Sequence, residues 1–161
     1  MRFATRILGR ATVLAVLAAA LGSTAAYGQY DSYIELLRQD IKAQKVAILT
    51  ENLNLTDEQG AVFWPIQREY ENELAKINDT RLALIKEYAK DYDTNMTLSR
   101  VKDLMDQTFK LEQDRYKLRE KYYKKFQKEL NPMIAAKFIW IERMINNLGD
   151  LQLQTALPFL K

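Results

Sequence analysis

The sequence predicts an all-α protein: a long antiparallel helical hairpin with two shorter flanking helices, elongated and dimeric. Apolar residues return every three or four positions along most of the chain, and no stretch alternates apolar and polar residues as a β-strand would. Only three Pro and five Gly interrupt 161 residues. The chain has no His and no Cys, which excludes disulfides, thiolate metal sites and imidazole ligands. Its length favours one domain.

The first 28 residues have the pattern of a secretory signal peptide. Arg2, Arg6 and Arg10 precede an apolar stretch over 11–21, and small residues follow up to Gly28. A stretch of about 11 residues is too short to cross a bilayer of about 30 Å as a helix. We therefore expect export, cleavage near Gly28 and no stable membrane span afterwards. The remaining chain carries 21 basic and 21 acidic residues, a balance that argues against nucleic-acid binding.

Apolar spacing and a capping box predict the first two helices. A helix over about 33–50 has four apolar positions on one face: Ile34, Leu37, Ile41 and Ile48. A second helix over about 57–92 begins where Thr56 and Gln59 form a T-x-x-Q capping box, with Leu55 placed as a hydrophobic staple. Pro65 inside this helix predicts a kink rather than a stop. The apolar stripe of the second helix contains Phe63, Ile66, Tyr70, Leu74, Ile77, Leu84 and Tyr88.

A third helix is predicted over about 98–130, capped by Thr97 or Ser99, and it carries two stripes. The first has the 3-4 spacing of a coiled coil and contains Val101, Leu104, Thr108, Leu111, Arg115, Leu118 and Tyr122. The second stripe contains Met105, Phe109, Tyr116, Tyr123 and Leu130. One antiparallel neighbour covers one stripe. The second stripe therefore predicts either the core of a homodimer or a binding surface.

Asn131 and Pro132 predict the N-cap and first position of a fourth helix, over about 132–148, which Gly149 closes. Residues 151–161 are apolar, contain Pro158 and show no helical period. The expected organisation is a signal peptide over 1–28, a helical domain over 29–150 and an apolar tail over 151–161.

The letters LTDEQ at 55–59 fit the LTxxQ motif of the Spy/CpxP-like periplasmic proteins, and FWPI at 63–66 resembles small secreted members of that group. The resemblance covers about 33–148. It implies an all-α fold, curved dimers, a periplasmic location and chaperone-like binding of unfolded or envelope proteins. The alternative that it implies is an envelope-stress sensor or adaptor with a defined membrane or periplasmic partner. Metal-binding relatives use His, which this chain lacks, so no metal is expected.

The expected binding residues lie on the third helix and are Phe109, Tyr116, Tyr123 and Phe126. Nearby cations at Lys124, Lys125 and Lys128 would suit clients that mix apolar and acidic segments. Leu55, Thr56 and Gln59 are expected to cap a helix rather than to contact a ligand.

No catalytic, cofactor or metal site is expected. The acids of the second helix alternate with Lys and Arg, which is typical of a solvated face. Leu37 and Arg38 resemble the first helix of secreted chorismate mutases, but the acids and Arg of that active site do not follow Ile41. The sequence therefore predicts a protein that is not an enzyme.

Overall fold

The computed structural model describes residues 44–92 and 96–156, with side chains through Leu148 and at Asp150. Within these ranges the chain forms helices and no strand, so the all-α class is confirmed. The helices are α1 (44–53), α2 (Asp57–Asp91), α3 (Leu98–Glu129) and α4 (Pro132–Ala156). The predicted signal peptide and the first part of the predicted first helix lie outside the described residues.

The chain divides into two compact units between residues 46 and 47, and the packing described below is that of the second unit. None of the helices in the described ranges combines the length and the hydropathy that a membrane span needs.

Helices α2 and α3 pack antiparallel. Ion pairs link rising positions on α2 to falling positions on α3: Glu69 with Lys125, Glu73 with Lys121, and Glu87 with Arg100. The predicted stripes supply most of the buried side chains of the two long helices. On α2 these are Phe63, Ile66, Tyr70, Leu74 and Leu84, and on α3 they are Leu104, Leu111, Arg115, Leu118 and Tyr122. Gln67 of α2 and Phe126 of α3 are also buried, outside the predicted stripes. The 3-4 spacing therefore identified the packed faces of both long helices.

Aromatic side chains from three helices form the centre of the core. Phe63 of α2 stacks on Phe126 of α3, with ring centroids 4.9 Å apart. Phe138 of α4 contacts both of them, at 5.7 Å from Phe63 and 4.6 Å from Phe126. Tyr70 lies edge-on to Phe138 at 5.1 Å. Such rings remove a large apolar area from water and have preferred mutual geometries, so this cluster sets how α4 sits on α2 and α3.

A second, smaller core lies between α2 and α3 and contains Leu84, Leu104 and Leu111. Beyond it, Arg100 near the start of α3 binds three carboxylates, with 2.7 Å to Glu87, Asp91 and Asp103. The hydrogen bonds to Glu87 and Asp91 raise the pKa of Arg100. Residues 93–95, the predicted turn, lie outside the described ranges.

The capping box at the start of α2 is present. Thr56 Oγ1 accepts a hydrogen bond from the Gln59 backbone N–H at 3.2 Å, and Gln59 Oε1 accepts one from the Thr56 N–H at 3.1 Å. The predicted hydrophobic staple is not formed as expected, because the position that should pack on Leu55 is Gly60. Leu55 instead packs against the aromatic core. Thr97 caps α3 and Asn131 caps α4.

We expect Thr56→Ala to lower the free energy of unfolding by about 1 kcal/mol, because it removes the acceptor for one helix-end N–H. Urea unfolding of the full chain measures this loss. Thr56→Ser, which keeps the acceptor, is the matched control and should lose much less. Equal losses in the two variants would contradict a capping role.

We expect Gly60→Ala to raise the free energy of unfolding by about 0.5–1 kcal/mol, because glycine inside a helix carries an entropic cost. A Cβ at this position would meet its nearest neighbour, Trp64 Nε1, at 3.7 Å, which is ordinary van der Waals contact. Thermal and urea unfolding check the gain. A destabilised variant would show that α2 is not helical at residue 60.

Two helix ends differ from the predictions. Helix α1 continues through Asn52 to residue 53, and Asn54 follows in the left-handed region with φ of 49°. Asparagine tolerates that conformation well and commonly ends a helix this way. Helix α4 was expected to end at Gly149, which is wrong, since the helix reaches Ala156.

Tertiary ion pairs explain the longer α4. Asp150 Oδ1 lies 2.6 Å from Arg81 NH1 of α2, and Asp150 Oδ2 lies 3.2 Å from Arg115 NH1 of α3. No described glycine has a positive φ, so Gly149 does not form the left-handed cap that would stop the helix. A glycine costs a helix only about 1 kcal/mol. Two ion pairs one residue later fix the backbone and offset that cost.

Candidate binding surfaces

The four predicted binding residues on α3 fall into two groups. Phe109 and Tyr116 are 60% and 62% exposed, and Met105 on the same face is 42% exposed. Tyr123 is half-buried and packs against the aromatic core. The fourth, Phe126, has no exposed surface.

The assignment of Phe126 to a binding face is wrong. Its ring lies between Phe63 and Phe138 in the core. The physical reason is helical spacing: Phe126 follows the buried Tyr122 by four residues, so it lies on the packed face and not on the second stripe. The exposed part of the predicted site is therefore Met105, Phe109 and Tyr116, which we call the α3 outer face.

The cations beside the predicted site are engaged in ion pairs within the protein. Lys124 pairs with Glu120 at 2.7 Å, Lys125 pairs with Glu69, and Lys128 lies 3.6 Å from Glu129. The positive charge that these three lysines offer to acidic clients is therefore smaller than expected from the sequence. These exposed pairs contribute little to stability.

A carboxylate of α2 also forms an ion pair with a cation of α3. Lys121 Nζ and Tyr122 Oη both donate to Glu73, at 2.7 Å and 2.8 Å. The bond from Lys121 and then that from Tyr122 hold the pKa of Glu73 below its ordinary value. The Glu73 contacts therefore contribute fully to the free energy of unfolding above the ordinary carboxyl pKa. This contribution is lost as the pH falls through the lowered pKa of Glu73.

A buried polar pair lies inside the core, where it was not predicted. Tyr70 lies beside the carboxylate of Glu142, and neither residue has any exposed surface. Burial, and then the charge of Glu142, raise the pKa of Tyr70. Asn146 Nδ2 donates a hydrogen bond to Glu142 Oε2, at 3.4 Å. The pair lies among packed aromatic rings, so its role is to orient α4 against α2.

A second exposed apolar face lies on α4, where none was predicted from the sequence. Met133 and Trp140 are each 66% exposed, Met144 is 37% exposed and Leu148 is 43% exposed. Steps of seven, four and four residues place them on one side of the helix. We call these four residues the α4 outer face. The sequence contains this helical spacing. It also contains an equally regular spacing of the α4 residues that pack in the core, so the spacing alone does not show which of the two sets is exposed.

Acidic side chains do not gather into a metal site in the described part of the chain: no group of three or more candidate ligands is present there. The carboxylates of α2 at Glu69, Glu73 and Asp91 instead meet Lys or Arg.

Comparison with known proteins adds no relative to these observations. No protein-family model, curated protein or solved structure matches the chain.

Proposed function

We propose that the protein is a non-enzymatic periplasmic protein that holds unfolded or envelope proteins in a chaperone-like way. The observation that carries the proposal is the α3 outer face, where Phe109 and Tyr116 are exposed, whereas Phe126 on the same helix is packed in the core. Large apolar side chains clustered on the surface of a soluble protein are typical of interaction sites. Met105 beside them adds a flexible side chain that adapts to varied partners.

Two features of the sequence support the location and the class of protein. The signal-peptide pattern over 1–28 favours export, and an N-terminus near Gln29 on the protein isolated from cells would agree with it. The LTxxQ letters stand where a long helix begins, as they do in the Spy/CpxP-like proteins that the chain resembles. The same residues form a capping box, so the motif has a structural role at the start of α2.

The test is an aggregation-suppression assay with a chemically unfolded model client. Phe109→Ser combined with Tyr116→Ser should abolish most of the protection, because the variant removes the aromatic surface without opening the core. Trp140→Ser is the matched control, since it removes an exposed aromatic ring from α4. Equal loss of protection in both variants would contradict a client site on α3.

The alternative is an envelope-stress sensor or adaptor that binds one defined membrane or periplasmic partner. It predicts that the protein does not protect a model client from aggregation. It also predicts that the native protein retains one envelope protein and that the double variant of α3 does not. Full protection of unrelated unfolded clients would count against it.

We also propose that the protein forms a homodimer, because a second copy would cover apolar side chains that are exposed on α3 and α4. Analytical ultracentrifugation measures the oligomeric state directly. The α3 outer face has two candidate occupants, a client and the second copy. A double variant of Phe109 and Tyr116 that remains dimeric but loses client protection assigns the face to clients, and a monomeric variant assigns it to the dimer.

A further inference from the structure

The α4 outer face differs from the surfaces of α2 and α3 in its charges. The exposed ionisable side chains on the described part of α4 are Lys137 and Arg143, and both are cations. Glu142 is buried, and Asp150 is held by two arginines. On the two long helices, by contrast, exposed acids and bases alternate and pair.

The two cations lie within and beside this face. Lys137 follows Met133 by four residues and precedes Trp140 by three, so it lies within the face, and Arg143 follows Trp140 by three residues and lies at its edge. Neither cation has an ion pair or hydrogen bond within the described residues. Their charges are therefore available to a partner, and the complementary partner is an anionic one.

We propose that the α4 outer face docks on an anionic lipid surface. Trp140, Met133, Met144 and Leu148 would enter the headgroup region while Lys137 and Arg143 bind lipid phosphates. A Trp ring suits this depth because its body is apolar and its N–H is a hydrogen-bond donor. Basic residues near a membrane surface add attraction to anionic lipids. This docking is peripheral and independent of client binding by α3.

Two observations favour lipid over an acidic protein. The described side chains of the patch all belong to one helix, whereas a partner helix commonly docks in a groove between two elements. The sequence that follows also remains apolar without an acid: residues 151–161 contain four Leu, one Phe and one Lys. A lipid surface accepts such a stretch without shape complementarity.

Trp140 provides the measurement, because the chain has two Trp and the other, Trp64, is half-buried against the core. In the full chain with Trp64→Phe, the emission of Trp140 is followed as vesicles are added. We expect a blue shift and co-sedimentation with vesicles of phosphatidylglycerol and phosphatidylethanolamine, and neither with vesicles of phosphatidylcholine. Lys137→Gln combined with Arg143→Gln should weaken partitioning about 30-fold, which is about fivefold for each charge removed.

The matched control is Lys110→Gln combined with Lys117→Gln, which removes the same charge from exposed positions on α3. It should weaken partitioning less than about threefold. The proposal is overturned by any of three results: no shift with anionic vesicles, equal weakening in the two double variants, or a shift that follows protein concentration without vesicles. The last result would assign the face to a second copy.

Discussion

Replacing Phe126 with alanine should lower the free energy of unfolding by about 3–5 kcal/mol, which is the range for a large aromatic residue removed from a core. The ring has no exposed surface and contacts both Phe63 and Phe138, at 4.9 Å and 4.6 Å between centroids. The cavity would therefore open where three helices meet, and neighbouring rings have little freedom to fill it. Urea unfolding followed by circular dichroism measures the loss.

Phe109→Ala is the matched control, since it makes the same change on the same helix at a position that is 60% exposed. Its effect on the free energy of unfolding should stay within about 0.5 kcal/mol. Together the two variants separate the core from the binding face. Similar losses in both would show that Phe109 is covered, for example by a second copy, and would contradict the assignment of the α3 outer face to clients.

Replacing Asp150 with alanine should cost about 2–3 kcal/mol. Asp150 is the carboxylate that holds Arg115, whose side chain is only 10% exposed and whose buried Nε has no acceptor among the described residues. Removing one partner of a buried ion pair leaves a charge without compensation, at about 3–5 kcal/mol. We expect a loss smaller than this range because the Asp150 and Arg81 side chains are each 27% exposed, so water screens part of the charge.

Asp106→Ala is the matched control for this prediction. It removes the exposed i,i+4 ion pair to Lys102, in which the two side chains are 61% and 77% exposed, and should cost less than about 0.5 kcal/mol. Hydrogen exchange adds a local readout, because loss of Asp150 should speed exchange in the last turns of α4 before the core opens. Unchanged exchange there would show that the two arginines do not fix the end of this helix.

Local chemistry was sufficient to predict much of the fold. The caps at Thr56 and Asn131 and the 3-4 spacing of apolar residues depend on side chains within one or two turns, so they can be read from one sequence. These signals located the starts of α2, α3 and α4 and the buried stripes of both long helices.

Features that depend on other helices could not be predicted in the same way. The end of α4 depends on Arg81 and Arg115, which lie 69 and 35 residues before Asp150 in the sequence. Glu142 is buried beside Tyr70, which belongs to another helix. A local rule assigns a glycine to a helix end and a glutamate to the surface, and tertiary contacts override both.

The candidate site contains residues that were predicted correctly and residues that were not. Phe109 and Tyr116 were predicted correctly as exposed because they lie on the stripe that α2 does not cover. Phe126 was assigned by its closeness in sequence to the cations, although its spacing from Tyr122 already indicated the core. The α4 outer face was not predicted, because the sequence prediction for this helix covered its two ends and not the spacing of its apolar residues.

The measurement that tests the central claim most directly is site-specific crosslinking to an unfolded client. The photoreactive residue p-benzoylphenylalanine replaces Phe109 in one variant and the exposed Lys117 of the same helix in another. The proposed function predicts strong crosslinks to several unrelated unfolded clients from position 109 and few from position 117. Equal crosslinking at both positions, or crosslinks from position 109 only to a second copy of the chain, would contradict it.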